Sequence, residues 1–148
     1  MTSMRSHSRR GNAIIEFALG WSVLWLLFSG VYQFGYAFYI YNSLLTSVAN
    51  AAELGSKLDY DTAHPSAYTT SLTNMVLYGD TIAGTNTLVP HLTSSNVSVN
   101  VTLNNGMPMD LTISISNYQL DAIFKQFTFN GKPRATTVYA GKVICTGC

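Results

Sequence analysis

The chain has 148 residues, which is enough for one small domain and excludes a large enzyme. Only 10 % of the residues are charged and 47 % are hydrophobic, whereas a soluble globular domain has about 25 % charged residues. The net charge of +1 provides no basic field that would hold nucleic acid, so no nucleic-acid partner is expected. This composition predicts a membrane segment.

The first predicted element is a membrane-spanning helix. No charged residue occurs from Phe17 to Ala52, and the apolar part, residues 14–40, is longer than the roughly 20 residues that cross a bilayer. Aromatic residues cluster at its far end, where their rings favour the membrane–water interface. Arg5, Arg9 and Arg10 precede it, so the positive-inside rule predicts a single-pass protein with a cytoplasmic N-terminus. A cleaved secretory signal peptide is disfavoured because its apolar core has about 7–15 residues.

The same helix is predicted to continue outside the membrane. Apolar residues recur there at steps of three and four, and Glu53 precedes Lys57 by four residues, the favourable order for a helical ion pair. The apolar stripe consists of Leu44, Leu45, Val48, Ala51, Ala52, Gly55 and Leu58. No proline interrupts the segment before Pro65, so we expect one helix over residues 14–58 whose stripe is covered outside the bilayer.

A second, shorter helix is predicted after a loop at residues 59–64. Pro65 is well placed as its first residue and Gly79 as its end. Its apolar side would carry Tyr68, Leu72, Met75 and Val76. The following residues, 80–95, are rich in Thr, Ser, Gly and Asn, and this predicts an exposed connection.

From residue 97 onward the apolar period changes to two, as in half-buried strands. Two such strands, residues 97–103 and 111–115, flank a predicted hairpin turn formed by Asn104, Asn105, Gly106 and Pro108. The remaining elements are predicted as a helical turn at 121–127, a tight turn at Asn130–Gly131 and a third strand at 135–144. We therefore expect an α+β fold in which a small antiparallel sheet packs against the extended half of the long N-terminal helix.

A motif lies where the basic leader meets the apolar helix. Gly11 is followed, after four residues, by Glu16 and Phe17. This pattern resembles a prepilin processing site of the kind found in the tight-adherence (Tad, or Flp) pilus. From Arg10 to Ser56 the chain is similar to TadE-like proteins, the pilin-like minor subunits of that system. The stretches that carry the similarity are Glu16-Phe17-Ala18-Leu19, Phe34-Gly35 and Ala49 to Gly55.

The resemblance implies a bacterial inner-membrane protein that is processed. A membrane-embedded prepilin peptidase would cut after Gly11 and leave Asn12 as the new N-terminus. The chain would then have a cytoplasmic leader (1–11), a transmembrane helix (12–41) and an extracytoplasmic part (42–148) with a small pilin-like domain. Its partners would be the peptidase, other pilin-like subunits and the Tad membrane assembly proteins, and after processing it would reach the pilus or the cell surface.

Glu16 has two interpretations. In pilin-like assemblies the equivalent carboxylate is thought to meet the free α-amine of a neighbouring subunit, here that of Asn12, with Phe17 in the same subunit contact. A charge at the membrane centre costs about 2.5–3.5 kcal/mol, so a neutralising partner would offset a large penalty. Alternatively, Glu16 lies at the bilayer surface in the first turn of a helix, where a carboxylate complements the helix dipole.

The other candidate site is a CxxC formed by Cys145 and Cys148. A thioredoxin-like motif opens a helix after a strand, whereas this one is the last four residues. Outside the cytoplasm, a disulfide within the chain or between subunits, or two unpaired thiols, is favoured. The three histidines lack metal-ligand spacing and no catalytic motif occurs, so we expect no metal, no cofactor and no catalytic residue.

Three hypotheses for function follow. The first is a TadE-like minor pilin or pseudopilin for cell adhesion, which is a peptidase substrate and not an enzyme. The second is an uncleaved single-pass membrane protein with a small extracytoplasmic binding domain. The third is a membrane-tethered thiol oxidoreductase that uses Cys145 and Cys148. N-terminal cleavage separates the first two, and replacement of both cysteines tests the third.

Overall fold

A computed structural model describes residues 10–121 and 126–144, with side chains from Ala13 onward. The fold is α+β, as predicted. The chain divides into two compact units, the first ending at Tyr36 and the second beginning at Ala37. The elements are α1 (Arg10–Lys57), β1 (Tyr60–Asp61), α2 (Pro65–Tyr78), β2 (Val97–Asn104), β3 (Met107–Ile115), β4 (Tyr118–Asp121), β5 (Gln126–Phe129), β6 (Arg134–Val138) and β7 (Val143–Ile144).

The long helix α1 carries the predicted apolar stripe in the second unit. Leu44, Val48 and Ala51 are fully buried there, and Ala52 is nearly so. The prediction is wrong for Leu45, which is 40 % exposed. Since successive residues are about 100° apart around a helix, Leu45 lies at the border of the stripe and the core covers only one side of it.

The end of α1 has the predicted ion pair. Lys57 Nζ lies 2.8 Å from Glu53 Oε1, and both side chains are well exposed. Beyond Lys57 the backbone N–H of Leu58 still donates to the carbonyl of Leu54 at 2.9 Å, which completes the last helical turn. An exposed pair of this kind contributes little to stability because solvent screens it, so the helix end depends on tertiary contacts.

The second helix, α2, begins and ends where the sequence predicts. Pro65 occupies its first position, where the missing N–H costs nothing. Gly79 adopts the left-handed conformation (φ 77°), and its N–H donates to the carbonyl of Met75 at 3.0 Å. Tyr68, Leu72 and Val76 are buried, as is the adjacent Leu77.

The main sheet has the strand order β2-β3-β6 and is antiparallel throughout. In its centre Ile113 lies opposite Val99 on β2 and Ala135 on β6. The hairpin turn is only Asn105-Gly106, both with positive φ (50° and 79°), as a two-residue type I′ turn requires. The prediction that Pro108 belongs to the turn is wrong. It lies within β3 opposite Leu103, next to a register shift.

Two further sheets have two strands each. The strand β1 pairs in parallel with β7, and β4 pairs antiparallel with β5. The prediction of a loop at 59–64 is wrong at Tyr60–Asp61, which form β1. The prediction of a helical turn at 121–127 is wrong at both its ends, where Asp121 belongs to β4 and residues 126–127 belong to β5. The expected third strand at 135–144 is two strands, β6 and β7, which belong to different sheets. The strands β1 and β7 were missed because their partners are distant in sequence and therefore invisible to local periodicity.

The core of the second unit lies between the buried faces of α1, α2 and the main sheet. Its β3 members, Leu111, Ile113 and Ile115, are fully buried. The connection at 80–95 was expected to be exposed, but Val89 and Leu92 are buried in the same core. Two apolar side chains thus anchor this loop in the core, whereas its other large apolar side chains, Ile82 and Leu88, are 74 % and 52 % exposed.

Candidate functional site

The candidate processing and assembly residues all lie near the start of α1. Gly11 and Asn12 have helical backbone, and Glu16 and Phe17 follow on the same helix. Because α1 already includes Arg10, Glu16 lies beyond the first turn, which contains no acidic residue. Stabilisation by the helix dipole falls off within the first turn. The helix dipole therefore does little to stabilise the Glu16 carboxylate, and the interpretation that places Glu16 in a first helical turn at the bilayer surface has less support.

Glu16 is an exposed carboxylate on an apolar helix surface. The neighbouring side chains Ile15 and Phe17 are 61 % and 71 % exposed, and Leu19 is similarly open. Within the part of the chain that the structure describes, no hydrogen bond or ion pair reaches Glu16. A carboxylate in such surroundings is stable in water, or beside a cationic partner if the surroundings are lipid.

Phe17 has an aromatic contact that the Gly11-to-Phe17 pattern does not predict. Its ring stacks on that of Trp21, with centroids 6.2 Å apart and planes at 21°. The two residues are four apart, so they lie on the same helix face. The i,i+4 spacing of two aromatic residues was the signal that would have predicted this pair. The two stacked rings form a wide aromatic patch on the helix surface beside Glu16.

The part of α1 that lies in the first unit has an apolar surface that no described residue covers. One helix among the described residues, Ala13–Lys57, is long and apolar enough to cross a membrane, and none of its most apolar window is buried. Ser22 Oγ donates to the carbonyl of Ala18 at 2.8 Å, so this hydroxyl needs no water. The exposed large side chains include Ile14, Leu19, Trp21, Leu24, Trp25, Leu27, Phe28, Val31 and Phe34.

The other predicted site residues, Cys145 and Cys148, lie outside the described residues. Among the residues that are described, no group of three or more His, Cys, Asp or Glu side chains is arranged to hold a metal ion. The nearest approach of two such groups is an exposed pair, with His64 Nδ1 at 2.8 Å from Asp61 Oδ2. This pair lies just before α2, whose N-cap is His64.

The family comparison concerns the same segment as the candidate site. Residues 11–53 match the model of the TadE-like protein family, which is less than half of the chain. The matched region begins at Gly11 and covers Glu16, Phe17 and most of α1. No curated protein and no solved structure matches the chain. Over its first helix the chain is therefore similar to TadE-like proteins, as its N-terminal sequence predicted.

Proposed function

We propose that this protein is a minor pilin or pseudopilin of a tight-adherence pilus and that a prepilin peptidase processes it after Gly11. Before processing, α1 anchors the chain in the bacterial inner membrane with the basic leader in the cytoplasm. The part of the chain from residue 42 onward faces the extracytoplasmic side. In this role the chain is a substrate and a structural subunit and catalyses no reaction.

The observation that carries the proposal is the coincidence of the family match with an uncovered apolar helix. The match begins at Gly11 and continues through the helix to residue 53. The most apolar window of that helix is not buried by any of the residues that the structure describes. Such a surface needs lipid or other apolar helices around it, since about 25 cal/mol is lost for each Å² left in water. Lipid would cover this surface while the helix anchors the chain in the membrane. The helices of neighbouring subunits would cover it after assembly.

The chemistry of processing explains why Glu16 follows Gly11 at this distance. Hydrolysis of the Gly11–Asn12 peptide bond adds one water and leaves a carboxylate on Gly11 and an α-ammonium on Asn12. Asn12 and Glu16 are four residues, or about 6 Å, apart along α1. A neighbouring helix shifted by that rise brings its Asn12 ammonium level with Glu16. Both costly charges are then neutralised, and the pairing fixes the stagger of the subunits.

The mature N-terminus tests this proposal. Intact mass and N-terminal peptide sequencing of the membrane fraction should give a chain that begins at Asn12. Gly11→Ala should leave the chain uncut. Gly20→Ala is the matched control, because it lies on the same helix and its added Cβ would meet no atom within 4 Å. This variant should be processed normally.

An uncleaved N-terminus would contradict the proposed function. A chain that starts at Met1 or Thr2 in cells with an active prepilin peptidase would contradict processing. The uncleaved single-pass membrane protein with a small extracytoplasmic binding domain would then be the better hypothesis. Processing of Gly11→Ala at the same bond would also contradict the role assigned to Gly11.

A further inference from the structure

A polar cleft lies in the second unit, between the loop that precedes β2 and the strand β4. Its volume is about 320 Å³, which is the space of about ten water molecules in the liquid. Every lining residue is polar, and these residues are His91, Thr93, Asn96, Asn117, Gln119 and Asp121. The cleft shares no residue with the helix surface around Glu16, so the proposed function does not account for it.

The side chain of Asn96 joins the two walls of the cleft. Its Oδ1 accepts hydrogen bonds from the N–H and the hydroxyl of Thr93, at 3.0 and 2.7 Å. Its Nδ2 donates to the carbonyls of Ser116 and Asn117, at 3.2 and 3.0 Å. All the hydrogen-bonding groups of this amide are therefore used. Asn96 supports the cleft and leaves the contact with a ligand to the other residues.

His91 is presented to the cleft by a turn that is anchored on both sides. The N–H of Leu92 donates to the carbonyl of Val89 at 3.3 Å, and both of these side chains are buried. Pro90 and His91 are the central residues of this turn, and His91 has a φ of 60°. A positive φ at the second central position is typical of a type II turn, where glycine is preferred. An exposed histidine therefore stands where glycine would be the easier residue.

Asn117 repeats this arrangement on the opposite wall. It is exposed, has a φ of 55° and directly precedes the buried Tyr118, whose hydroxyl donates to the carbonyl of Pro90 at 2.9 Å. Among the described residues, the non-glycine residues with positive φ are His91, Asn105 and Asn117. The hairpin turn requires this conformation of Asn105, whereas the other two residues both line the cleft. Sparsely populated backbone conformations cluster at binding sites, where the surrounding structure holds them.

Four of the lining side chains keep groups available for a ligand. Within the part of the chain that the structure describes, the imidazole of His91 and the side-chain amide of Asn117 have no hydrogen-bond partner. Gln126 Nε2 donates to Asp121 Oδ1 at 2.6 Å and to Gln119 Oε1 at 3.4 Å. The described residues thus leave Asp121 Oδ2 and Gln119 Nε2 without partners. The cleft offers donors, acceptors and one negative charge.

This set of groups disfavours most classes of ligand. An anion would meet the Asp121 carboxylate, and the described lining includes no Lys or Arg to balance it. A metal ion would find one carboxylate and one imidazole, which are too few ligands. An apolar molecule would desolvate the polar side chains without replacing their hydrogen bonds. Hydroxyl groups both donate and accept, so a neutral molecule that carries several of them satisfies all the available groups.

We propose that the cleft binds one neutral sugar ring of a glycan. Adjacent hydroxyls of the ring donate to the Asp121 carboxylate and accept from the amides of Gln119 and Asn117. His91 donates or accepts on the facing wall, according to its tautomer. The volume is at the lower end of the range for small-molecule sites, which suits a single ring. An extended peptide would instead need a row of backbone groups at a sheet edge.

The test is an NMR titration of the full, isotope-labelled chain in dodecylphosphocholine micelles, a detergent without a sugar headgroup. The probes are the methyl pyranosides of glucose, galactose, mannose and N-acetylglucosamine. At least one should shift the backbone amides of Thr93, Asn117 and Gln119 in a saturable manner, with a Kd of about 1–10 mM. Methyl glucuronide carries a carboxylate that Asp121 repels, so it should bind at least about tenfold more weakly than the best neutral glycoside.

Glycine variants at the three positions of positive φ provide the matched comparison. His91→Gly and Asn117→Gly each remove a side chain from the cleft but keep a backbone conformation that glycine favours, so both should fold. Each should weaken binding of the best glycoside at least about tenfold. Asn105→Gly makes the same change as Asn117→Gly at the hairpin turn, outside the cleft, and should bind like the parent chain. The amide dispersion of the spectra checks the fold of each variant.

Three results would overturn the proposal. The first is the absence of a saturable shift at the cleft amides with all four neutral glycosides. The second is equal binding by Asn117→Gly and Asn105→Gly, which would place the sugar elsewhere. The third is tighter binding of methyl glucuronide than of every neutral glycoside, which would make the ligand an anion. None of these results depends on cleavage at Gly11, so they are separate from the test of the proposed function.

Discussion

The phenolic hydroxyl of Tyr68, on α2, donates a 2.6 Å hydrogen bond to the carbonyl of Gly55, in the last turn of α1. The last four carbonyls of a helix have no partner within the helix. Here a side chain from another helix supplies one. The ring of Tyr68 also contacts Tyr60 edge to face, with centroids 5.2 Å apart. The end of α1 is thereby fixed to the residues that follow it.

Tyr68→Phe should destabilise the second unit by about 1–3 kcal/mol, because it leaves the buried Gly55 carbonyl without a hydrogen bond. Urea unfolding of the full chain in micelles, followed by near-UV circular dichroism, measures this change. Tyr78→Phe is the control, since the described residues offer the Tyr78 hydroxyl no hydrogen-bond partner. Equal destabilisation by the two variants would contradict a stabilising role for the hydrogen bond from the Tyr68 hydroxyl to the Gly55 carbonyl.

The same tyrosine predicts a pH dependence. Burial raises the pKa of Tyr68 to about 12, whereas an unfolded tyrosine has a pKa of about 10. Between these values the unfolded chain loses the proton and the folded chain keeps it. The contribution to stability is therefore complete below about pH 10 and falls as the pH rises toward 12.

Unfolding free energies measured between about pH 9 and pH 11.5 should show this decrease. Burial also raises the pKa of Tyr139, so Tyr68→Phe should reduce the slope without removing it. An unchanged slope in Tyr68→Phe would mean that other tyrosines cause the pH dependence.

Gly55→Ala should destabilise the protein although alanine is the better helix former. A Cβ at Gly55 would clash with a methyl group of Leu111 and crowd both methyl groups of Leu72. These leucines are fully buried, so a shift of either side chain must displace its neighbours in a closely packed core. Overpacking of this kind costs about 1–3 kcal/mol, which exceeds the gain of about 1 kcal/mol in helix propensity.

Gly35→Ala is the control for this substitution, because a Cβ at Gly35 meets nothing within 4 Å. Its midpoint of thermal unfolding should equal or exceed that of the parent chain. If Gly55→Ala were as stable as Gly35→Ala, the close approach of α1 to the sheet at Leu111 would be wrong.

Leu44 and Leu45 provide a direct test of which face of α1 enters the core. Leu44 is fully buried and Leu45 is 40 % exposed. Leu44→Ala should therefore lower the free energy of unfolding by about 2–5 kcal/mol, and Leu45→Ala by less than about 1 kcal/mol. The two variants carry the same substitution at adjacent positions, so they differ only in which face of α1 loses a side chain. Similar effects would contradict the orientation of α1.

Glu16→Gln should leave processing unchanged but reduce incorporation into pili at least about tenfold, because the subunit contact loses one charge of a pair. Immunoblots of the sheared pilus and membrane fractions measure this ratio. Glu53→Gln is the control, since Glu53 lies on the same helix in an exposed pair with Lys57. Normal incorporation of processed Glu16→Gln would contradict the pairing with Asn12.

Local features of the sequence determined the long helix, the second helix and the main hairpin. The step of three and four placed Leu44, Val48 and Ala51 on one face, and the caps Pro65 and Gly79 bounded α2. The period of two placed Val99 and Ile113 on one face of the hairpin. Each of these signals acts over a few residues, so a single sequence contains it. The Gly11-to-Phe17 pattern is equally local, and the family match confirms its resemblance.

Only the tertiary structure decided the remaining features. The pairing of Tyr60 with Val143 joins residues far apart in sequence, so no local pattern specifies it. The burial of Val89 in a polar loop, and the exposure of Leu45 beside a buried Leu44, depend on what lies opposite each residue. The position of β2 at an edge of the main sheet is likewise set by the strand order, because a strand's own sequence does not state how many neighbours it has.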